Sequence, residues 1–143
     1  MSAVVESNTA TAEEQQSCMK PGAFCWNEMI GRNTEASAKF YSGLFGWKSE
    51  PFHGDVPYTI FKSNGQPVAG LMACPDSQMA PQWLAYVMVE DVDASVKKAA
   101  NLGAKIMLEP KDIPTVGRIA VIQDPQGAEI GVFRPESTGP EKR

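Results

Sequence analysis

Histidine is almost missing from this sequence: His53 is the only one in 143 residues, and the cysteines number three, Cys18, Cys25 and Cys74. A histidine-rich metal centre cannot be built from such a chain. Three thiols without metal-like spacing make neither a disulfide framework nor a zinc site. A reactive thiol would want a histidine or a helix N-terminus beside it to form thiolate. His53 sits in a loop with Pro51, Gly54 and Pro57, so the cysteines read as buried or incidental. Positive charge is scarce too, with 13 Lys and Arg against 17 Asp and Glu and a net charge of −4. That balance excludes broad electrostatic attraction to nucleic acid or to an anionic membrane. No apolar run approaches the ~20 residues that span a bilayer. The first twenty residues, rich in Ser, Thr, Glu and Gln, lack the basic start and apolar core of a signal peptide. With the cysteine usage, this gives a cytoplasmic protein as the expectation.

What the sequence does contain is a repeat. Glu35-Ala36-Ser37-Ala38-Lys39 returns as Asp93-Ala94-Ser95-Val96-Lys97, and each copy leads to a Leu followed by Gly (Leu44, Gly46; Leu102, Gly103). Further on, Pro67-Val68-Ala69-Gly70-Leu71-Met72 is echoed by Ala128-Glu129-Ile130-Gly131-Val132-Phe133. Two copies of one supersecondary unit are the economical explanation. The polar ends, 1–20 and 137–143, read as tails. The single domain between them, 21–136, divides into unit one (22–75) and unit two (81–135), joined near Cys74 to Pro81. Unit one is expected to run as a strand at Ala23–Ile30, a helix capped by Asn33 and stopped by Gly46, a strand at Trp47–Pro51, and a hairpin of Tyr58–Ser63 with Gln66–Ala73 around Asn64-Gly65. Ala36, Phe40 and Leu44 form one stripe of that helix. Unit two repeats the plan: Trp83–Val89, a helix from Asp91 to Gly103 with Val92, Val96 and Ala99–Ala100 on one face, Ala104–Leu108, then Arg118–Gln123 with Ala128–Arg134. The segment Glu109–Gly117 reads as a loop long enough to act as a mobile cover. The fold class is α+β, built from two βαβββ units.

These residues resemble the vicinal-oxygen-chelate superfamily, which groups glyoxalase I, extradiol dioxygenases and bleomycin-resistance proteins. The resemblance spans about Gly22 to Pro135. Its carriers are Phe40-Tyr41 with Leu44-Phe45-Gly46-Trp47, Val89-Glu90-Asp91-Val92-Asp93 with Leu102-Gly103-Ala104, and Asp124-Pro125-Gln126-Gly127 before a strand running into Phe133. It implies the glyoxalase/bleomycin-resistance/dihydroxybiphenyl dioxygenase fold, with the two units curled around one cavity. Metal-dependent members ligate a divalent ion through His, Glu or Gln, from the first and last strand of each unit. The matching positions here are Trp26, Gly70, Leu84 and Gly131, none of which offers a side-chain donor suited to such an ion. The resemblance therefore implies a subgroup with no metal and no other cofactor.

Side chains alternate along a strand, which places Glu28 beside Trp26, Tyr86 and Met88 beside Leu84, and Met72 and Phe133 beside the two glycines. Taking Asn64-Gly65 and Pro125-Gln126 as two-residue turns sets Gly70 opposite Thr59, Val68 opposite Phe61, Gly131 opposite Ala120, and Phe133 opposite Arg118. The expected ligand site is then Trp26, Thr59, Phe61, Gly70, Met72, Leu84, Tyr86, Met88, Gly131 and Phe133, with Glu28 and Arg118 as polar fixtures. A mostly apolar wall with few polar groups suits a small, partly apolar organic molecule. The alternative is a metal-independent enzyme of isomerase or lyase type, with Glu28 as general base and Arg118 steadying an anion. Glu28 and Arg118 could equally form a structural ion pair. A metal-dependent glyoxalase or dioxygenase is disfavoured by the residues. The resemblance also implies a homodimer, since members of the family pair to complete or flank each cavity.

Overall fold

Both helices begin by the same device. The Asn33 side chain accepts from the Ala36 N–H and that of Asp91 from the Ala94 N–H, each at 3.0 Å, satisfying a donor that the first turn leaves unpaired. Gly46, at φ +73°, closes the first helix in the left-handed conformation that favours glycine. In this computed structural model, which describes residues 20–54, 57–74 and 80–136, the order is β1 (Phe24–Gly31), α1 (Thr34–Phe45), β2 (Lys48–Phe52), β3 (Tyr58–Ser63), β4 (Gln66–Ala73), β5 (Gln82–Met88), α2 (Val92–Asn101), β6 (Lys105–Ile113), β7 (Gly117–Gln123) and β8 (Glu129–Pro135). The two expected βαβββ units are there. Nearly all of both tails, Cys18 and most of the linker between the units lie outside the described residues.

The strands form one eight-stranded mixed sheet in the order β2-β3-β4-β1-β5-β8-β7-β6. The units meet along β1 and β5, which pair antiparallel, while β1 with β4 and β5 with β8 are parallel. Trp26 pairs with Tyr86 and Glu28 with Leu84. Because the repeat carries Trp26 onto Leu84 and Glu28 onto Tyr86, the two pairs exchange about a local twofold at Asn27–Ala85. Glu28 opposite Gly70 accordingly has its counterpart in Tyr86 opposite Gly131.

Both helices cover the same face. Ala38 and Tyr41 of α1 pack on Phe61, Ala69 and Leu71, while Val92 and Val96 of α2 pack on Ala120 and Val132. The opposite, helix-free face holds a third cluster of Ile30, Leu84, Tyr86 and Val121, joined by Trp26, Met72, Ile119 and Phe133. The Phe40–Leu44 stripe of α1 points outward: Phe40 is 61% exposed, Leu44 59% and Phe45 55%.

Three local expectations need correction. The segment Glu109–Gly117 is no cover, because β6 continues to Ile113 and only three residues turn before β7. The β6–β7 pairing has two irregularities, the second of which, between Leu108 and Lys111, contains Pro110, and an edge strand tolerates such a residue because its outer side needs no ladder bond. The β3–β4 hairpin turns at Asn64-Gly65 as expected, but its register shifts beyond Lys62–Pro67, so Phe61 faces Ala69 and Ile60 faces Gly70. Val68 is the extra residue of a bulge beside a proline that has no N–H to give the ladder. The β7–β8 connection is a five-residue loop, in which the Asp124 carboxylate accepts from the Gln126 and Ala128 N–H groups. Val121 therefore faces Gly131, and Ile119 faces Phe133.

Candidate functional site on the helix-free face

Since side chains alternate sides, a slip of one residue turns a whole strand over. Thr59 and Phe61 consequently lie on the α1 side, where Phe61 is fully buried. Tyr58 reaches the helix-free face in place of Thr59. On β7, Ile119 and Val121 replace the expected Arg118 and Ala120. Arg118 instead donates to both Asp93 carboxylate oxygens, at 2.9 and 3.0 Å, and to Asp112 at 2.9 Å. It forms no pair with Glu28 and holds no place beside it. The remaining expected residues, Trp26, Glu28, Gly70, Met72, Leu84, Tyr86, Met88, Gly131 and Phe133, do share the helix-free face.

At its centre stands Glu28, 7% exposed and the only buried charged side chain among the described residues. The Tyr58 hydroxyl donates to its Oε1 at 2.8 Å and the Tyr86 hydroxyl to its Oε2 at 3.2 Å. The Trp26 indole N–H donates to the Tyr58 oxygen at 3.0 Å. An indole can only donate, so Tyr58 accepts from Trp26 and is left to spend its own proton on Glu28. Burial pushes the Glu28 carboxyl above its ordinary value, and the two hydroxyls, which favour the ionised form, pull against that. Both tyrosines are pushed up in turn, first by burial and then by the neighbouring carboxylate.

The two glycines explain how so much fits there. A Cβ on Gly70 would land on the Tyr58 ring and hydroxyl, and a Cβ on Gly131 on the Tyr86 ring. The space they leave is occupied by the chain's own tyrosines, where a vacancy open to a ligand was expected. Tyr58 was missed by the sequence reading because the register slipped; Pro67 was the available signal, as a proline inside a strand marks an edge or a bulge.

Among the described residues, those at the positions that the resemblance assigns to a metal do not fit a divalent ion. Of the four positions matching the superfamily's ligand positions, Trp26 offers an N–H that already donates, Leu84 is aliphatic, and Gly70 and Gly131 have no side chain. Among the described residues, no three His, Cys, Asp or Glu side chains come together in a metal-holding group.

Comparison with known proteins agrees with this architecture. Residues 26–132 match the profile of the Glyoxalase/Bleomycin resistance protein/Dioxygenase superfamily. The chain is 35% identical over 116 residues to CFP32 of Mycobacterium tuberculosis, which carries a provisional glyoxylase name; the match takes 80% of this chain and 44% of that protein. It is 33% identical over 132 residues to the anthracycline biosynthesis protein DnrV of Streptomyces peucetius, again 80% of this chain and 47% of the relative. The chain thus spans about half the length of these curated relatives. Among solved structures, methylmalonyl-CoA epimerase of Mycobacterium tuberculosis superposes with a TM-score of 0.58 at 15% identity, covering 92% of this chain and 96% of the other. A Glu-to-Gln variant of the Streptomyces coelicolor methylmalonyl-CoA epimerase, in complex with 2-nitronate-propionyl-CoA, gives 0.61 at 13% identity, covering 82% and 100%. At those identities the likeness is one of fold.

Two outcomes follow from this geometry. Gly131→Ala must displace the Tyr86 ring and should cost about 1–3 kcal/mol by urea denaturation; combined with Tyr86→Ala, it should cost clearly less than the sum of the two. Additive losses would show that the ring and the glycine are not coupled. The second outcome concerns pH. Folded Glu28 holds its proton at pH values where the unfolded chain has released it. Its contribution therefore falls as pH rises from the ordinary value near 4.5 through the raised folded one. Wild type should lose stability relative to Glu28→Gln across that window, and the difference should be flat on either side. Parallel curves throughout would contradict the assignment.

Proposed function

Because the chain belongs to the Glyoxalase/Bleomycin resistance protein/Dioxygenase superfamily, we propose that it binds a small, partly apolar organic molecule against the helix-free face of its sheet, without a metal ion. The observation that carries this reading is Glu28, a carboxyl set among apolar and aromatic side chains and held by two hydroxyls. An apolar wall with one oriented polar fixture is the usual composition of a small-molecule site. Trp26, Met72, Tyr86, Met88 and Phe133 supply the wall. Tyr58 and Tyr86 lie over the glycines, and of the two it is Tyr86 that would yield to a ligand by rotation.

The raised carboxyl favours a second reading, a metal-independent isomerase or lyase in which Glu28 is the general base. A carboxyl shifted toward neutrality takes and returns a proton more readily than an exposed one. Arg118 has no part in this version, since its guanidinium is committed to Asp93 and Asp112.

A thermal-shift screen of small organic molecules, run with and without a chelator, tests the first reading. Stabilisation by one chemical series, unchanged by the chelator and lost in Glu28→Gln, is the expected result. Nearly one equivalent of a transition metal after dialysis of untagged protein would overturn metal independence. Turnover of a bound compound that Glu28→Gln abolishes would move the assignment to the enzyme.

We also infer a homodimer. The exposed stripe of α1 continues through Tyr41, which stacks on Phe45, to Trp83, which donates its indole N–H to the Tyr41 hydroxyl and is itself 42% exposed. Phe40, Leu44, Phe45 and Trp83 together leave on the order of 400 Å² of apolar surface uncovered, enough for the centre of an interface. Gly43 lies in the same stripe with nothing within 4 Å of where its Cβ would stand. Glycine inside a helix is costly, and here packing among the described residues gives no reason for it; the notch would admit Phe40 of a second copy. Light scattering should give twice the 15.5 kDa chain mass for wild type and the chain mass for Phe40→Glu with unchanged circular dichroism. A wild-type mass of one chain across a dilution series would overturn the dimer.

A further inference from the structure

Among the described residues, Glu28 has no cation beside it, the partner that a buried carboxylate ordinarily has. The ion pairs among the described residues, Lys62 with Glu50 and Arg118 with Asp93 and Asp112, leave it out. What shifts its ionisation is burial and two hydroxyl groups, with no cation contributing. Hydroxyl donors offset only part of the cost of an interior carboxylate; a positive charge in contact offsets far more.

The two oxygens are also held unequally. Oε1 receives the shorter bond, from a tyrosine whose own oxygen is fixed by Trp26. Oε2 receives the longer bond, from Tyr86, whose hydroxyl has no donor comparable to Trp26 behind it among the described residues. Oε2 is therefore the oxygen that can be given up to a newcomer, with Tyr58 keeping the carboxylate in place. An anionic group arriving there would meet an uncompensated negative charge. A protonated amine would meet the charge it complements, with aromatic side chains nearby whose faces also favour cations.

Resting on the small-molecule reading above, we propose that the molecule bound at this face is a cationic amine, whose ammonium group takes Glu28 Oε2 in place of the Tyr86 hydroxyl. Tyr58 is then a positioning residue, holding the carboxylate through Oε1 without losing its own bond to Trp26.

Three probes of one size and different charge test this: benzylamine, benzyl alcohol and benzoate, each titrated at pH 7 into the full chain and followed by the Trp26 indole N–H signal in nuclear magnetic resonance. Benzylamine should bind at least tenfold more tightly than benzyl alcohol, with benzoate weakest. Glu28→Gln should erase that order. Tyr86→Phe, with no hydroxyl to displace, should bind benzylamine at least as tightly as wild type, whereas Tyr58→Phe should bind it several-fold more weakly. Equal binding of all three probes removes the amine and leaves a small-molecule site. Tighter binding of benzoate overturns the charge argument outright, and failure of all three to bind removes both the amine and the site. A loss of benzylamine affinity in Tyr86→Phe equal to that in Tyr58→Phe would overturn the exchange at Oε2.

Discussion

A carboxylate taken out of water costs several kcal/mol unless hydrogen bonds or an opposite charge meet it, and the helix-free face is organised around meeting that cost at Glu28. Each oxygen is given a tyrosine hydroxyl. Each tyrosine ring lies where a side chain on the neighbouring strand would otherwise stand, which is why Gly70 and Gly131 occur in the middle of strands that would be better ordered with larger residues. Trp26 then removes the freedom of the Tyr58 hydroxyl by occupying its acceptor side. Five residues from five strands are tied to one ionisable group. The arrangement persists only because β3, β4, β1, β5 and β8 lie side by side in the sheet.

The large features of this fold are readable in the amino-acid order because each rests on local chemistry. Asn33 and Asp91 are caps wherever they occur before a helical stripe, Asn64-Gly65 turns a hairpin in almost any context, and the repeated Ala-Ser-x-Lys segments announce two like units. The candidate site was partly readable for the same reason: alternation along β1 and β5 places Trp26, Glu28, Leu84 and Tyr86 together without knowledge of any neighbour. The assignments that failed depend on a relation between strands. Thr59, Phe61 and Arg118 were each displaced by a single residue of register, and one residue suffices to exchange faces. In both hairpins a proline carried the warning. Pro67 cannot donate to its ladder and sits beside the bulge; Pro125, with φ held negative, cannot enter the primed turns that join strands by two residues, so the loop there had to be longer.

Duplication explains the scaffold and leaves the chemistry to the differences between the copies. The local twofold makes Glu28 and Tyr86 the same position in two units, as it does Gly70 and Gly131. One copy carries an acid, and the other carries the hydroxyl that binds it. The third member, Tyr58, has Ile119 as its counterpart, so Glu28 gains a second hydroxyl that the other unit does not reproduce. A symmetric pair of carboxylates this close would repel and shift each other's ionisation. Replacing one of them by tyrosine turns that repulsion into a hydrogen bond and leaves a single acid at the centre.

That asymmetry also bears on why the superfamily's metal-binding role is a poor fit here. A shared metal needs donors from both units converging on one point, and the twofold would supply them in matched pairs. At the positions that the resemblance assigns, the pairs in this chain are Trp26 with Leu84 and Gly70 with Gly131, and neither pair carries a carboxylate or an imidazole. Loss in one unit alone could be made good by water or by a neighbouring side chain. Among the described residues, Glu28 is the one buried carboxylate on that face, with its two oxygens already bonded to tyrosine hydroxyls. A single carboxylate so engaged can hold a hydrogen-bond donor or an organic cation through one oxygen, but it cannot by itself assemble the three or more donors that keep a divalent ion against water.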